Sequence, residues 1–238
     1  MIYVGGDSYA YGSELLDISN RFGDIVSDAM GTTNQNDAIG GASNQRIYRK
    51  FFEAFDPNKF SHVILGWTGL NRFEHYSVFD QDYDGYRRIT AHRLLPSNKH
   101  EDYIDEKLRK RIAKLRDDVK VSKENKVLLQ YMANVRTDRV IHAEILNMIL
   151  QVQRMCKYTD TKLCMFFGVQ NNIIKFNELI TDHLMYNSVD WNDTWLYQPD
   201  YSLQECMNDL KLPIGPGKHF LEEGHQVAAD KILEHFSV

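Results

Sequence analysis

The opening stretch Met1-Ile2-Tyr3-Val4-Gly5-Gly6-Asp7-Ser8 decides how the rest of this chain is read. Ile2 to Val4 is short, apolar and β-prone, and it runs directly into Gly5-Gly6-Asp7-Ser8, a backbone permissive enough for a sharp turn. That pattern is a strand followed by a loop. Arg21 to Met30 then carries Phe22, Ile25, Val26, Ala29 and Met30 at helical spacing and stops at Gly31, the residue type most often found just past a helix C-terminus. A second unit repeats the order: a weak strand Asn36-Asp37-Ala38-Ile39, the loop Gly40-Gly41-Ala42-Ser43-Asn44, and a helix with Ile47, Phe51, Phe52 and Phe55 on one face.

The clearest strand is His62-Val63-Ile64-Leu65, a continuous apolar run of the kind buried on both faces of a parallel sheet, ending at Gly66-Trp67-Thr68-Gly69. Leu163-Cys164-Met165-Phe166-Phe167 before Gly168 supplies a fourth strand, and Glu222 to Phe236 a closing helix with Val227, Ala228, Ile232, Leu233 and Phe236 along one face. Strands alternating with helices predict an α/β fold with a mainly parallel sheet. About ninety residues separate the third and fourth strands, far more than a crossover of a dozen or so needs. The expectation is therefore one domain over 1–238 with an inserted, mostly helical subdomain at about 75–160. Within it Asp105 to Asp118 reads as a charged helix with a solvated face, and Ser122 to Tyr158 as helical and amphipathic.

Composition excludes several classes. With 238 residues, 43% hydrophobic and 26% charged, the chain is globular and not disordered. A formal charge of -5 and no basic arm give no electrostatic footprint for nucleic acid. The first residues lack the charged and apolar regions of a signal peptide, and no run approaches the roughly eighteen apolar residues of a membrane span. The expected location is cytoplasmic. Cys156, Cys164 and Cys206 match no metal or redox spacing, and they read as small buried hydrophobes in a reducing compartment. His92, His100 and His183 have no partners at ligand spacing, so neither metal nor cofactor is expected.

In an open parallel sheet, ligands bind outside the carboxyl ends of the strands. The loops there hold Asp7 and Ser8, then Gly41, Ser43 and Asn44, then Thr68, Asn71 and Arg72, while His219 sits in a late loop, Pro213-Ile214-Gly215-Pro216-Gly217-Lys218, just before the closing helix. A serine, loops with small residues and a late histidine are the parts of an acyl-transfer site: nucleophile, backbone donors and base.

On these residues the chain resembles the SGNH or GDSL hydrolases. Gly6-Asp7-Ser8 matches the family's first block, and Gly41 in Gly40-Gly41-Ala42-Ser43-Asn44 matches the glycine that donates to the oxyanion. The third block, Gly-x-Asn-Asp, falls on Gly66-Trp67-Thr68-Gly69, where Thr68 stands at the asparagine position. The side-chain donor is then Thr68 or Asn71, or is missing. The family's histidine is followed by glycine five residues on and alanine ten residues on. His219 has Gly224 and Ala229 at those distances, which sets it ahead of His225. The aspartate of Asp-x-x-His is replaced by Pro216, leaving Nδ1 of His219 to a carbonyl of the Pro213–Gly217 loop, to Glu222, or to an acid of the Asp190–Asp193 segment.

The resemblance implies a three-layer, flavodoxin-like fold and a serine esterase acting on a short, O-acetyl-like acyl ester, with a carbohydrate as the preferred carrier. Ser8 would be nucleophile, His219 base, and the backbone of Ser8 and Gly41 with Thr68 or Asn71 the oxyanion hole. Trp67 offers a sugar-stacking wall or a core aromatic, and Arg72 a cation for a substrate carboxylate or an ion-pair partner for Glu74. Trp191, Trp195, Tyr197 and Tyr201 read either as the lining of a carbohydrate cleft or as a satellite core. Trp67-Thr68 followed by Arg72-Phe73-Glu74 is similar to variants encoded by tailed bacteriophages, which would place the chain in a virion. The alternative reading is an impaired member that binds without turnover, for example a component of a phage particle. Expected partners are a small-molecule or glycan ester and a homo-oligomer or virion assembly, with no nucleic acid and no membrane.

Overall fold

A computed structural model describes the chain except for residues 71, 77–85, 90–122, 136–137, 170–183 and 198–200. In chain order its first half holds β1 (Ile2–Gly5), α1 (Ser8–Tyr11), α2 (Phe22–Ala29), β2 (Asn34–Asn36), α3 (Asn44–Ala54), β3 (His62–Trp67), β4 (Phe73–Tyr76) and β5 (Tyr86–Ile89). The second half holds α4 (Lys123–Asn134), α5 (Asp138–Tyr158), β6 (Lys162–Phe167), α6 (Leu184–Asn187), α7 (Leu203–Asp209) and α8 (Glu222–Phe236). The chain forms two compact units, one of Met1–Gly69 with Leu146–Val238 and one of Leu70–Ile145.

The first unit is built on a parallel four-stranded sheet in the order β2-β1-β3-β6. The α/β reading of the sequence is therefore the observed architecture. Strand alternation sorts the core into two sides. Ile2, Val4, Ile64, Cys164 and Phe166 join one cluster with Phe22 and Val26 of α2 and Ala228, Ala229 and Ile232 of α8. Tyr3 turns the other way, its ring edge-on to Phe51 of α3 at 5.7 Å and to Phe60 at 5.5 Å. On that side Tyr48 of α3 donates its hydroxyl to Gln151 of α5 at 2.6 Å. The layers are helix, sheet, helix, with each buried aliphatic or aromatic side chain contributing roughly 1.5–3 kcal/mol.

The strand bounds differ from the sequence reading most at the second strand, while the third runs two residues further, to Trp67. The second strand is Asn34–Asn36, two residues earlier than expected, because its register is set by β1 (Ile2 opposite Asn34, Val4 opposite Asn36) and not by apolar content. Asp37 and Ile39 then donate their amides to Val4 and Gly6 as the chain turns away. At the other edge Trp195 bridges Met165 in parallel, with the Met165 amide on Thr194 O and the Leu196 amide on Met165 O, so the tail of β6 gains a short neighbour. The helix expected over Ser122–Tyr158 is two helices, α4 and α5. Asn134, which closes α4, turns its side-chain amide onto the Gln130 carbonyl at 3.0 Å, the local competition with backbone bonding that makes Asn a poor helix interior residue.

In the second unit β4 and β5 pair antiparallel with Phe73 opposite Ile89, and α4 buries Leu128, Leu129 and Met132 along one stripe. The charged helix expected over Asp105–Asp118 lies outside the described residues, as do His92, His100 and His183. Among the described residues no helix is long and apolar enough to cross a membrane. All three cysteines are buried free thiols.

Candidate active site

Because the four strands are parallel, their carboxyl ends share one edge of the sheet, and the loops leaving that edge carry most of the residues singled out above. The β1 loop is the tightest. A Cβ on Gly6 would stand 2.6 Å from that of Ala10 and 3.1 Å from the Gly66 carbonyl, so only glycine lets the turn lie against β3. Asp7 then caps α1, its Oδ1 accepting the Tyr9 amide at 3.1 Å. Ser8 is the first residue of that short helix and is 8% exposed; among the described residues its hydroxyl has no hydrogen-bond partner.

The neighbouring loops are tied to this turn. Asn44, at the start of α3, pairs with the Thr68 backbone in both directions, accepting its amide at 2.8 Å and donating to its carbonyl at 3.1 Å. Ser43 caps α3 through the Arg46 amide, and Gly41 sits in the left-handed region at φ 72°. A Cβ on Gly40 would lie 3.7 Å from Ser13 Oγ, which brings the β2 loop beside the segment after α1. Past β6, Gly168 faces Asp7, where a Cβ would meet Oδ1 at 3.4 Å.

Thr68, expected as an oxyanion donor, is engaged within the loop network. Its hydroxyl donates to Asp7 Oδ2 and its amide to Asn44, so both hydrogens are committed inside the loop network, and the side chain is fully buried. Asn71, the other candidate donor, lies outside the described residues. Trp67 presents no face for a sugar: it is fully buried in β3, with its indole N–H on Met165 Sδ at 3.3 Å. Apolar burial on both faces of a central strand takes it into the core. Arg72 is half-buried and belongs to the second unit. Of the aromatic cluster Trp195 is buried, while Trp191, Tyr197 and Tyr201 are half-buried, the two tyrosines packed against the core. Trp195 packs between Phe167 and Trp191 with ring centroids 5.1 and 4.8 Å away, and Tyr197 donates its hydroxyl to Cys206 Sγ at 3.2 Å.

His219 approaches the β1 loop through Tyr9, the residue after Ser8. The Tyr9 ring meets the His219 ring edge-on at 5.2 Å, and its hydroxyl donates to the Lys218 carbonyl at 3.0 Å. Among the described residues no hydrogen bond joins Ser8 Oγ to His219, and Nε2 has no partner. Nδ1 does have one: Glu14 Oε2 at 2.8 Å. The same carboxylate accepts the Gly217 amide at 2.7 Å and the His219 amide at 3.2 Å. The Gly217 bond, then the His219 ring, hold the Glu14 carboxyl below the usual carboxylate range.

None of the three sources expected for the group at Nδ1 supplies it. Glu222 turns to the Leu16 amide at 3.4 Å. Asp190 caps its own turn through the Asn192 and Asp193 amides. The Pro213 carbonyl accepts from Leu221 and the Gly215 carbonyl from Lys218. Glu14 escaped the reading because it is far from His219 in sequence. Its signal was there nonetheless, as a lone carboxylate six residues after the serine and two glycines flanking Pro216 with no stated purpose.

His225 has a separate setting inside the core. It is 1% exposed, stacks on Phe22 at 5.6 Å, lies 4.6 Å from Phe220, and accepts the Phe22 amide on Nδ1 at 3.2 Å. Gly224 makes that packing close, since a Cβ there would meet the Phe220 Cβ at 2.6 Å.

No protein-family model and no curated protein matches this chain. Among solved structures it is similar to a member of the lipolytic protein G-D-S-L family from Veillonella parvula, at 11% identity over 99% of this chain and 97% of that one, with a TM-score of 0.48. It is similar as well to the acetyl xylan esterase AlAXEase, at 11% identity over 98% of each chain and a TM-score of 0.48.

Proposed function

We propose that this chain is a divergent SGNH-type serine ester hydrolase acting on a short acyl ester, with an acetylated carbohydrate as the preferred substrate class. One observation carries the reading: the Asp7-Ser8 turn at the carboxyl end of β1 and the His219 loop are locked together through Tyr9, which follows Ser8 and holds both the Lys218 carbonyl and the His219 ring. Ser8 Oγ attacks the acyl carbon and passes its proton to His219 Nε2, which then protonates the departing alcohol oxygen. Water repeats the sequence on the acyl-serine, releasing the acid and restoring the hydroxyl. The backbone amides of Ser8 and Gly41 face the developing oxyanion. The carbohydrate preference draws support from the acetyl xylan esterase among the similar structures.

The second reading, a chain that binds without turnover, in a phage particle for instance, is favoured by the engagement of Thr68 with Asp7 and Asn44. Turnover of p-nitrophenyl acetate and acetate release from an acetylated xylo-oligosaccharide separate the two. Ser8→Ala abolishes both if the chain is a hydrolase; a wild type no faster than Ser8→Ala leaves the binding reading standing.

A further inference from the structure

We infer that Glu14 is the positioning carboxylate of the site, holding His219 for proton transfer from the nucleophile's own loop and taking the place of an acid upstream of the histidine. The inference rests on the ester-hydrolase reading for its chemical meaning and on an independent set of contacts for its geometry.

Those contacts build a cradle. Glu14 accepts from three donors of one loop, the Gly217 amide, the His219 amide and His219 Nδ1. It is delivered there by the chain after α1: Gly12 caps the helix in the left-handed region, Ser13 donates its amide to the Ser8 carbonyl at 2.9 Å, and Glu14 itself adopts φ 73°. A non-glycine residue in that region carries a conformational cost, which surrounding contacts must offset. The opposing loop is shaped to receive it. It closes on itself through Gly215 N–H to the His219 carbonyl at 2.8 Å and the Ile214–Phe220 bridge. A Cβ on Gly215 or on Gly217 would each come within 2.9 Å of the Glu14 carboxylate. Neither glycine has a positive φ, so the backbone makes no demand for glycine there; the space is taken by Glu14.

The chemistry follows from the acceptor-only nature of a carboxylate. A neutral imidazole whose Nδ1 faces Glu14 keeps its proton on Nδ1, and Nε2 is left with the lone pair that a general base needs. When Nε2 takes the serine proton, the carboxylate stands beside the imidazolium. Glu14 thus acts through His219 and need not touch substrate. The titratable groups near this pair are Tyr9, edge-on to the His219 ring, Glu222, which accepts the Leu16 amide two residues from Glu14, and His225, which feels the charge of His219.

The test compares wild type with Glu14→Gln, Glu14→Ala, Glu14→Asp and Gly217→Ala, with Ser8→Ala as the floor, by kcat/KM on p-nitrophenyl acetate against pH. Gly217→Ala is the gentle lesion, since the atom it meets is the far end of a flexible side chain: the fold yields by moving the carboxylate. Expected are losses on the order of 10²- to 10⁴-fold in Glu14→Gln and Glu14→Ala, an acid limb displaced to lower pH in both, partial recovery in Glu14→Asp, and a loss in Gly217→Ala with a cooperative urea transition retained. An unaltered rate and profile in Glu14→Gln beside an inactive Ser8→Ala overturns the role of Glu14 and leaves the hydrolase reading intact. A wild type at the Ser8→Ala floor overturns both. Nitrogen shifts of the His219 ring give a readout free of turnover: a wild type with the proton on Nε2, or no change of tautomer balance in Glu14→Ala, overturns the assignment whatever the activity.

Discussion

His225 makes the stability of this fold depend on pH from about 6.5 downward, so that between pH 7 and 5 its contribution is read largely above the ordinary carboxylate range. The ring is enclosed between Phe22 and Phe220 and accepts a backbone N–H, a role open only to an unprotonated nitrogen. Burial first, then the charges of Arg21 and His219, lower its pKa from an ordinary 6.5 to about 3. Above pH 6.5 the ring is neutral in folded and unfolded chains alike. As pH falls below that, the unfolded chain binds a proton that the folded one refuses, so stability is lost on acidification until the folded ring itself titrates. At about 1.4 kcal/mol per pH unit the whole window amounts to about 5 kcal/mol, of which about 2 kcal/mol is gone by pH 5.

The perturbation is His225→Asn, whose Oδ1 can take the Phe22 amide in place of Nδ1 while nothing remains to titrate. Urea unfolding at pH 7 and pH 5 gives four midpoints. The variant starts lower, by roughly 1–3 kcal/mol for lost ring packing, but it lacks the loss of about 2 kcal/mol between the two pH values that wild type shows. His62, whose pKa burial also lowers, contributes equally in both proteins and cancels. If the variant loses as much stability as wild type over this interval, or if the wild-type His225 Cε1–H resonance titrates between pH 7 and 5, the reasoning is refuted.

Thr68→Val removes the hydroxyl bond to buried Asp7 and should cost about 1–3 kcal/mol in urea, yet turnover should stay within about tenfold of wild type, where loss of an oxyanion donor would cost about 10²–10³. Ser202→Ala dismantles the capping box with Glu205 at the start of α7 and should lower stability by about 1 kcal/mol, read as a thermal midpoint. Burial pushes the Cys156 thiol up to about 12 and the Cys164 thiol higher still, so a disulfide reagent at pH 8 should leave both unmodified until denaturant is added; rapid labelling of the native protein would contradict their placement in the core.

What the sequence made legible was whatever is written in local pattern. The apolar run at His62–Leu65 could only be a strand buried on both faces, and the spacing of Val227, Ala228, Ile232 and Leu233 placed α8 with the bounds observed. Gly6, Asp7 and Ser8 gave the turn because its constraints lie within a few residues. Pairing across the sheet is not local, and so β2, which owes its register to β1, was read two residues late. Trp67 shows the same limit on side chains: an aromatic at the end of a strand looks alike whether it meets solvent or Met165, and only the neighbouring strand decides. The acid at His219 was the hardest case. A search confined to the segment before the histidine must fail when that segment contributes Pro216 and two glycines, since its chemistry is the absence of side chains. Those glycines are legible only together with Glu14, some two hundred residues away, whose carboxylate fills the space they leave.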